Sequence, residues 1–160
     1  MRVKVFCVGN DYQLDDGFGP AVARALRASG QLPAGVEVID CGVMGYALVG
    51  DLMACDAAVT VDALDGTGAA PGTLLSFSPD DLAQSSGVAS LHDVRFADVW
   101  ASARFMGSPC AHAQGFGVQV QTLGDGTLQQ GLSEPVAAAV EPCAQAVLAY
   151  LRELLDASKG

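Results

Sequence analysis

The stretch Val3-Lys4-Val5-Phe6-Cys7-Val8-Gly9-Asn10-Asp11-Tyr12-Gln13-Leu14-Asp15-Asp16-Gly17-Phe18-Gly19-Pro20 decides the fold. Val3 to Val8 is apolar and rich in β-branched residues, and Gly9-Asn10 stops it, which is the pattern of a buried strand. An acidic, glycine-bearing loop follows. Pro20 then opens a helix, because its fixed φ suits a first turn whose N–H groups need no helical partner. In that helix Val22, Ala25 and Leu26 share one face, while Arg24 and Arg27 point away. A buried strand running through a loop into an amphipathic helix is the first half of a βαβ unit.

The remainder of the chain repeats the alternation. Val36 to Ile39 predicts a second strand ending at Asp40, and Tyr46 to Ala54 a short helix with Leu48, Val49 and Leu52 turned inward. Ala57 to Val61 predicts a third strand ending at Asp62, and Thr73 to Phe77 a fourth at a sheet edge. Pro79 to Ser90 reads as a polar loop with one helical turn, and His92 closes it. A helix is expected from Val94 to Phe105, with Val94, Ala97, Trp100 and Ala101 on one side. Gly107 to Gly115 is expected as loop and Phe116 to Val120 as the last strand. Ser133 is placed to cap a closing helix in which Val136, Val140, Cys143, Val147, Leu151 and Leu154 step at helical spacing, with Pro142 expected to kink it. The chain carries no repeat and no linker. Residues 1–160 therefore read as a single α/β domain: a three-layer sandwich with a mostly parallel sheet and helices on both faces.

Composition narrows what such a domain can do. The 160 residues carry 8 Lys and Arg against 18 Asp and Glu, a formal charge of −10, which argues against tracking nucleic-acid phosphates or an anionic membrane surface. Two histidines allow neither a three-histidine zinc site nor an HExxH helix, so a transition-metal site must lean on carboxylate or thiolate. Cys7, Cys41, Cys55, Cys110 and Cys143 are odd in number and lack CxxC spacing, so they read as small buried hydrophobes in a reducing compartment rather than a disulfide framework. The apolar run before Asp11 is too short for a signal sequence, and no stretch is apolar enough to span a bilayer. A cytoplasmic protein acting as a monomer is the expectation.

In open α/β sheets ligands gather beyond the carboxyl ends of the strands. The first strand there runs into Asp11, Asp15 and Asp16, which would repel a phosphate, and neither GxGxxG nor GxxxxGK[ST] is present. A nucleotide site is therefore disfavoured. Asp15 and Asp16 each have the ordinary reading of a helix-capping or Asx-turn aspartate. Asp62, following an apolar strand, faces the crevice and needs a partner. His92 sits in a polar loop, whereas His112 lacks a comparable setting. Asp16, Asp62 and His92 together would offer two oxygens and one imidazole nitrogen, a mixed set suited to nickel, zinc or iron rather than calcium or magnesium. No GxSxG elbow or Cys–His signature supplies a nucleophile.

At these residues the sequence resembles the nickel–iron hydrogenase maturation endopeptidases. Cys7-Val8-Gly9-Asn10 followed by Asp15-Asp16-Gly17-Phe18-Gly19-Pro20-Ala21-Val22 is similar to that family's GN…D[DE]GxG opening. Val61-Asp62-Ala63 matches its second block, and Pro71-Gly72-Thr73 its PGT-type turn. His92 stands at the place of the family's single histidine, and Phe96-Ala97-Asp98-Val99 resembles the helix after it. Leu132-Ser133-Glu134-Pro135-Val136, with Val140-Glu141-Pro142, is similar to its closing helix. The resemblance implies an α/β sandwich around a five-stranded twisted sheet and a metal-binding trio of Asp16, Asp62 and His92. It also implies an endopeptidase that removes the C-terminal extension of a hydrogenase large-subunit precursor after nickel insertion. The nickel is then carried by the precursor, and no permanent cofactor is expected. Asp40-Cys41-Gly42-Val43 stands where many members carry a DGGT-like segment tied to substrate selection. Asp40 and Gly42 fit that pattern, Cys41 and Val43 depart from it, and Cys41 is a candidate soft contact near the metal. The competing function is a non-catalytic metal-binding or precursor-binding chaperone module on the same scaffold.

Overall fold

A computed structural model describes residues 1–43, 45–78, 80–81, 89–90 and 96–159. Strands β1 (Val3–Val8), β2 (Val36–Gly42), β3 (Ala57–Asp65), β4 (Leu74–Phe77), β5 (Ala89–Ser90) and β6 (His112–Gln119) form one sheet. Its main path runs β2-β1-β3-β6-β4, with the two-residue β5 pairing β3 off that path. The β1–β2, β1–β3 and β3–β6 pairs are parallel, while β4 lies antiparallel against β6 as the edge strand expected. The mostly parallel five-strand sheet read from the sequence is therefore present.

Helices α1 (Phe18–Ala28), α2 (Val49–Met53), α3 (Phe96–Phe105) and α4 (Glu134–Ala157) divide between the two faces. Strand alternation explains the division. Val3, Val5 and Cys7 of β1, with Val59 and Val61 of β3, point to the side where α1 and α4 pack through Val22, Leu26, Val147 and Leu151. Phe6 and Val8, with Ala58, point to the other side, where Leu52 of α2 and Phe96 and Trp100 of α3 close a second core. The Phe6 and Phe96 rings sit 5.5 Å apart in a tilted pair. From Ala57 to Leu64 β3 is buried without interruption, as a central parallel strand covered on both faces must be.

Several boundaries differ from those expected. The third strand does not end at Asp62 but continues to Asp65, because β6 pairs with it through Leu64 and β5 pairs with Leu64 and Asp65. The last strand begins at His112 rather than Phe116, since residues 112–115 pair with residues 57–60. In α3 the buried set is Phe96, Ala97, Val99, Trp100 and Ala103, whereas Ala101 is exposed. Ser133 precedes α4 but makes no side-chain cap; its hydroxyl is used elsewhere. Helix α4 is continuous through Pro142, which stands on the exposed face, as does Ala138, the residue whose carbonyl has no proline N–H to accept from. Val94, His92 and most of the expected 79–90 loop lie outside the described residues. Among the described residues no helix is long and apolar enough to cross a membrane.

Candidate active site

The carboxyl ends of β1, β2 and β3 lie side by side, since Val8 pairs with Gly42 on one flank and Cys7 pairs with Val61 on the other. Beyond Val8 the chain turns sharply. Gly9 adopts φ +145°, and a Cβ there would stand 2.0 Å from the Asp16 carbonyl oxygen. Gly19 is packed as tightly, with a Cβ position 2.0 Å from the Val8 carbonyl oxygen. The two glycines let the loop fold back onto the strand end, and a 3-10 turn at Leu14–Gly17 leads into α1.

The adjacent aspartates of that turn, both fully buried, do different work. Asp15 is a structural anchor: its carboxylate accepts from the backbone N–H groups of Gln121, Thr122 and Ser133 and from the Ser133 hydroxyl, at 2.7–2.9 Å. That set of donors satisfies a buried charge and ties the turn to two distant segments. Neither Asp15 nor Asp16 is a helix cap. Asp16 Oδ2 accepts from the Asn10 N–H at 3.0 Å, and the same N–H reaches the Asp16 carbonyl at 3.2 Å. Asn10 in turn accepts from Tyr12 N–H at 2.9 Å, so Gly9-Asn10, read in the sequence as a strand stop and as the start of the GN…D[DE]GxG opening, holds Asp16 in place. The Asp11 carboxylate is engaged by Arg24 in a paired contact at 2.9 and 3.1 Å.

Asp62 is 3 % exposed and lies inside β3, with Oδ1 accepting from Ala63 N–H at 2.8 Å. The turn that carries Asp16 packs against β3, so the two buried carboxylates come from contacting elements at the same end of the sheet. His92 lies outside the described residues. His112 opens β6 opposite Ala57, at the amino end of the parallel strands, and so sits at the far edge of the sheet from Asp16 and Asp62. Among the described residues no group of three His, Cys, Asp or Glu side chains is arranged to hold a metal ion.

A groove of about 290 Å³ opens at the strand ends between the Gly9–Tyr12 loop and the end of β2, walled there by Asp40, Gly42 and Val43. Gly42 accepts from Gly9 N–H at 3.0 Å, and Asp40 Oδ1 accepts from Gly42 N–H at 3.3 Å, which fixes that wall. Asp11 also lines a second groove, of about 370 Å³, bounded by Leu14, Arg24 and Gln130 to Leu132. Cys41 is buried and turned toward α2 and α3. Burial, then the Asp40, Asp51 and Asp62 carboxylates, push its thiol up to about 12, so at neutral pH it is a protonated thiol and not a soft thiolate.

With a glycine-built strand end, two buried aspartates and an adjoining groove in view, comparison with known proteins assigns the family. Residues 20–150 match the sequence profile described as Hydrogenase maturation protease. The chain belongs to that family. It is 33% identical over 154 residues to the Hydrogenase 2 maturation protease of Escherichia coli K12, spanning 96% of this chain and 92% of that protein. Against the Hydrogenase expression/formation protein HoxM of Azotobacter vinelandii it is 34% identical over 154 residues, covering 95% of this chain and 73% of the relative. Its fold superimposes on the hydrogenase maturating endopeptidase HybD from E. coli with a TM-score of 0.81 at 32% identity, over 96% and 93% of the two chains. A hydrogenase maturation protease is a peptidase, and both the fold and the family expected from the sequence are borne out.

Proposed function

We propose that this hydrogenase maturation protease removes the C-terminal extension of a nickel–iron hydrogenase large-subunit precursor after nickel insertion, and that Asp16, Asp62 and His92 recognise the nickel the precursor carries. The observation that carries this reading is the burial of Asp16 and Asp62 on contacting elements beside an open groove. Each carboxylate is held in place by a backbone N–H, from Asn10 to Asp16 and from Ala63 to Asp62, and two acidic side chains fixed at one end of the sheet offer oxygen donors to a cation delivered by the substrate. With His92 they make the mixed oxygen and nitrogen donor set that suits nickel.

Peptide hydrolysis needs a polarised carbonyl and a water that gives up a proton. Nickel on the precursor supplies the Lewis acid, and one of the two carboxylates accepts the proton and passes it to the leaving amine. The groove walled by Asp40, Gly42 and Val43 holds the substrate segment next to the scissile bond, which makes this loop the determinant of which precursor is accepted. Cys41, behind that wall, supports the loop from the core side. The protein works as a monomer in the cytoplasm.

The test is the intact mass of a purified precursor, with and without nickel, before and after incubation with the protein. A shortened precursor only in the nickel-loaded sample is the expected result. Complex formation at unchanged mass would overturn the protease reading in favour of a binding chaperone.

A further inference from the structure

The sheet carries a second constellation at its amino end, opposite the candidate active site. Cys55 follows α2 and Cys110 precedes β6, each two residues ahead of the paired residues Ala57 and His112. The ladder extends one step further through the Ala111 N–H donating to Asp56 at 3.0 Å. Neighbouring strands lie about 4.8 Å apart, so residues facing each other across this extension fall within the span a disulfide bridges. Their sulfurs are in fact 3.7 Å apart, both thiols are free, and both are buried. Two hydrogen bonds hold the Cys110 segment in place: Ser108 Oγ donates to the Leu52 carbonyl at 2.7 Å, and Cys110 N–H donates to Ser108 Oγ at 3.1 Å. Their chain neighbours Ala54, Pro109 and Ala111 are exposed, so the backbone segments that carry the two thiols reach the surface. Cys7 and Cys143 lie in the core of one sheet face, and Cys41 lies in the core of the other, to which Cys55 and Cys110 also belong; of the five thiols it is these last two whose sulfurs are in contact.

From this geometry we infer that Cys55 and Cys110 are a modification site, a dithiol that closes reversibly to an intramolecular disulfide by exchange with a low-molecular-weight disulfide. The two thiols are unequal. The Cys110 S–H stabilises a thiolate on Cys55 and holds its pKa below the ordinary thiol value, with Lys4 and Arg2 adding positive potential, while Cys110 is raised. Cys55 is therefore the attacking sulfur. Its thiolate attacks one sulfur of the small disulfide, forming a mixed disulfide and expelling one thiolate. Cys110 passes its proton to that thiolate and attacks the Cys55 sulfur, forming the Cys55–Cys110 bond and expelling the second thiolate, which takes up a proton from solvent. The protein loses two hydrogens, and the small disulfide is reduced to two thiols. The bond ties the end of α2 to the start of β6 and leaves the strand ends at Asp16 and Asp62 untouched.

The experiment exposes the full chain to glutathione disulfide, quenches with acid, denatures, alkylates and measures intact mass. Three of the five cysteines should be labelled, and all five after dithiothreitol. Cleavage before aspartates then places Cys7, Cys41, Cys55, Cys110 and Cys143 on five separate fragments. Fragment 51–55 linked to fragment 98–124 is the expected product. Cys41→Ala should retain the loss of two labels, and Cys55→Ala should abolish it. Five labels in the oxidised wild-type protein, or a link joining any other pair of fragments, would overturn the inference. Because the fragment map is read on the wild-type chain, the outcome does not depend on whether the variants fold.

Discussion

Asp15 and Ser133, 118 residues apart in sequence, are joined by two hydrogen bonds, from Ser133 N–H to Oδ1 at 2.7 Å and from Ser133 Oγ to Oδ2 at 2.9 Å. Gln121 and Thr122 N–H donate to the same carboxylate at 2.8 and 2.9 Å. One buried side chain thus joins the turn before α1, the segment after β6 and the start of α4. Asp15→Ala would take the acceptor from three backbone N–H groups, those of Gln121, Thr122 and Ser133, and leave a void at a fully buried position. The expected loss is about 3 kcal/mol or more in unfolding free energy, read as a lowered urea midpoint. Asp15→Asn should also lose most of this, because its amide turns a donor toward N–H groups that need an acceptor. An unchanged midpoint for Asp15→Asn would show that the charge is dispensable there.

Gly9→Ala places a methyl group on a backbone with φ +145°, 2.0 Å from the Asp16 carbonyl oxygen. A backbone atom cannot move aside as a flexible side chain does, so the loop must unfold locally or the strand end must shift. The variant should lose about 3 kcal/mol of stability. Gly30→Ala is the control, since φ there is +64° but nothing lies within 4 Å, and the cost should be only about 1 kcal/mol. Equal midpoints for the two variants would contradict the close approach at Gly9.

The alternation of strands and helices, the first strand and the closing helix are legible in the sequence because hydrophobic period and punctuation agree there. At the site, agreement is partial for a physical reason. Asp62 reads as a stop signal, yet β3 continues through it, because a polar residue ends a strand only where no neighbouring strand offers pairing, and β6 offers it to Leu64. Asp15 reads as a local cap because capping residues act on nearby N–H groups. Its real donors lie more than 100 residues away, and no local pattern encodes them. The spacing of Cys55 and Cys110 likewise says nothing until the β3–β6 register sets them side by side.

The buried thiols make stability fall at alkaline pH. Burial pushes Cys41 and Cys143 up to about 12, and Cys7 is raised as well, first by burial and then by its neighbours Cys41 and Cys143. In the unfolded chain each titrates near the ordinary thiol value of about 8.5. Between these limits the unfolded state has lost a proton that the folded state keeps, so unfolding is favoured as pH rises. Stability should be fully present below about pH 8.5 and fall by up to roughly 1.4 kcal/mol per pH unit for each such thiol until the folded pKa is reached. Urea unfolding under reducing conditions from pH 8 to 11 measures the slope. Cys143→Val removes one titrating group from the α1–α4 core and should flatten the curve by about one thiol's share.

The assignment of Asp16, Asp62 and His92 is decided by variants that spare the fold. Asp16→Asn keeps an oxygen able to accept from Asn10 N–H, and Asp62→Asn keeps one for Ala63 N–H, so both should fold with melting temperatures near that of the parent. Each loses the negative charge that would meet a precursor-borne cation, and trimming of a nickel-loaded precursor should drop by about 100-fold or more. His92→Ala should do the same. His112→Ala should leave trimming unchanged, since His112 is at the amino end of β6, across the sheet from both aspartates. The readout is the rate at which the shortened precursor accumulates by mass, alongside thermal melting of each variant. Retained trimming in the Asp16, Asp62 and His92 variants would remove all three from the site. A loss confined to His112→Ala would move the chemistry to the other end of the sheet.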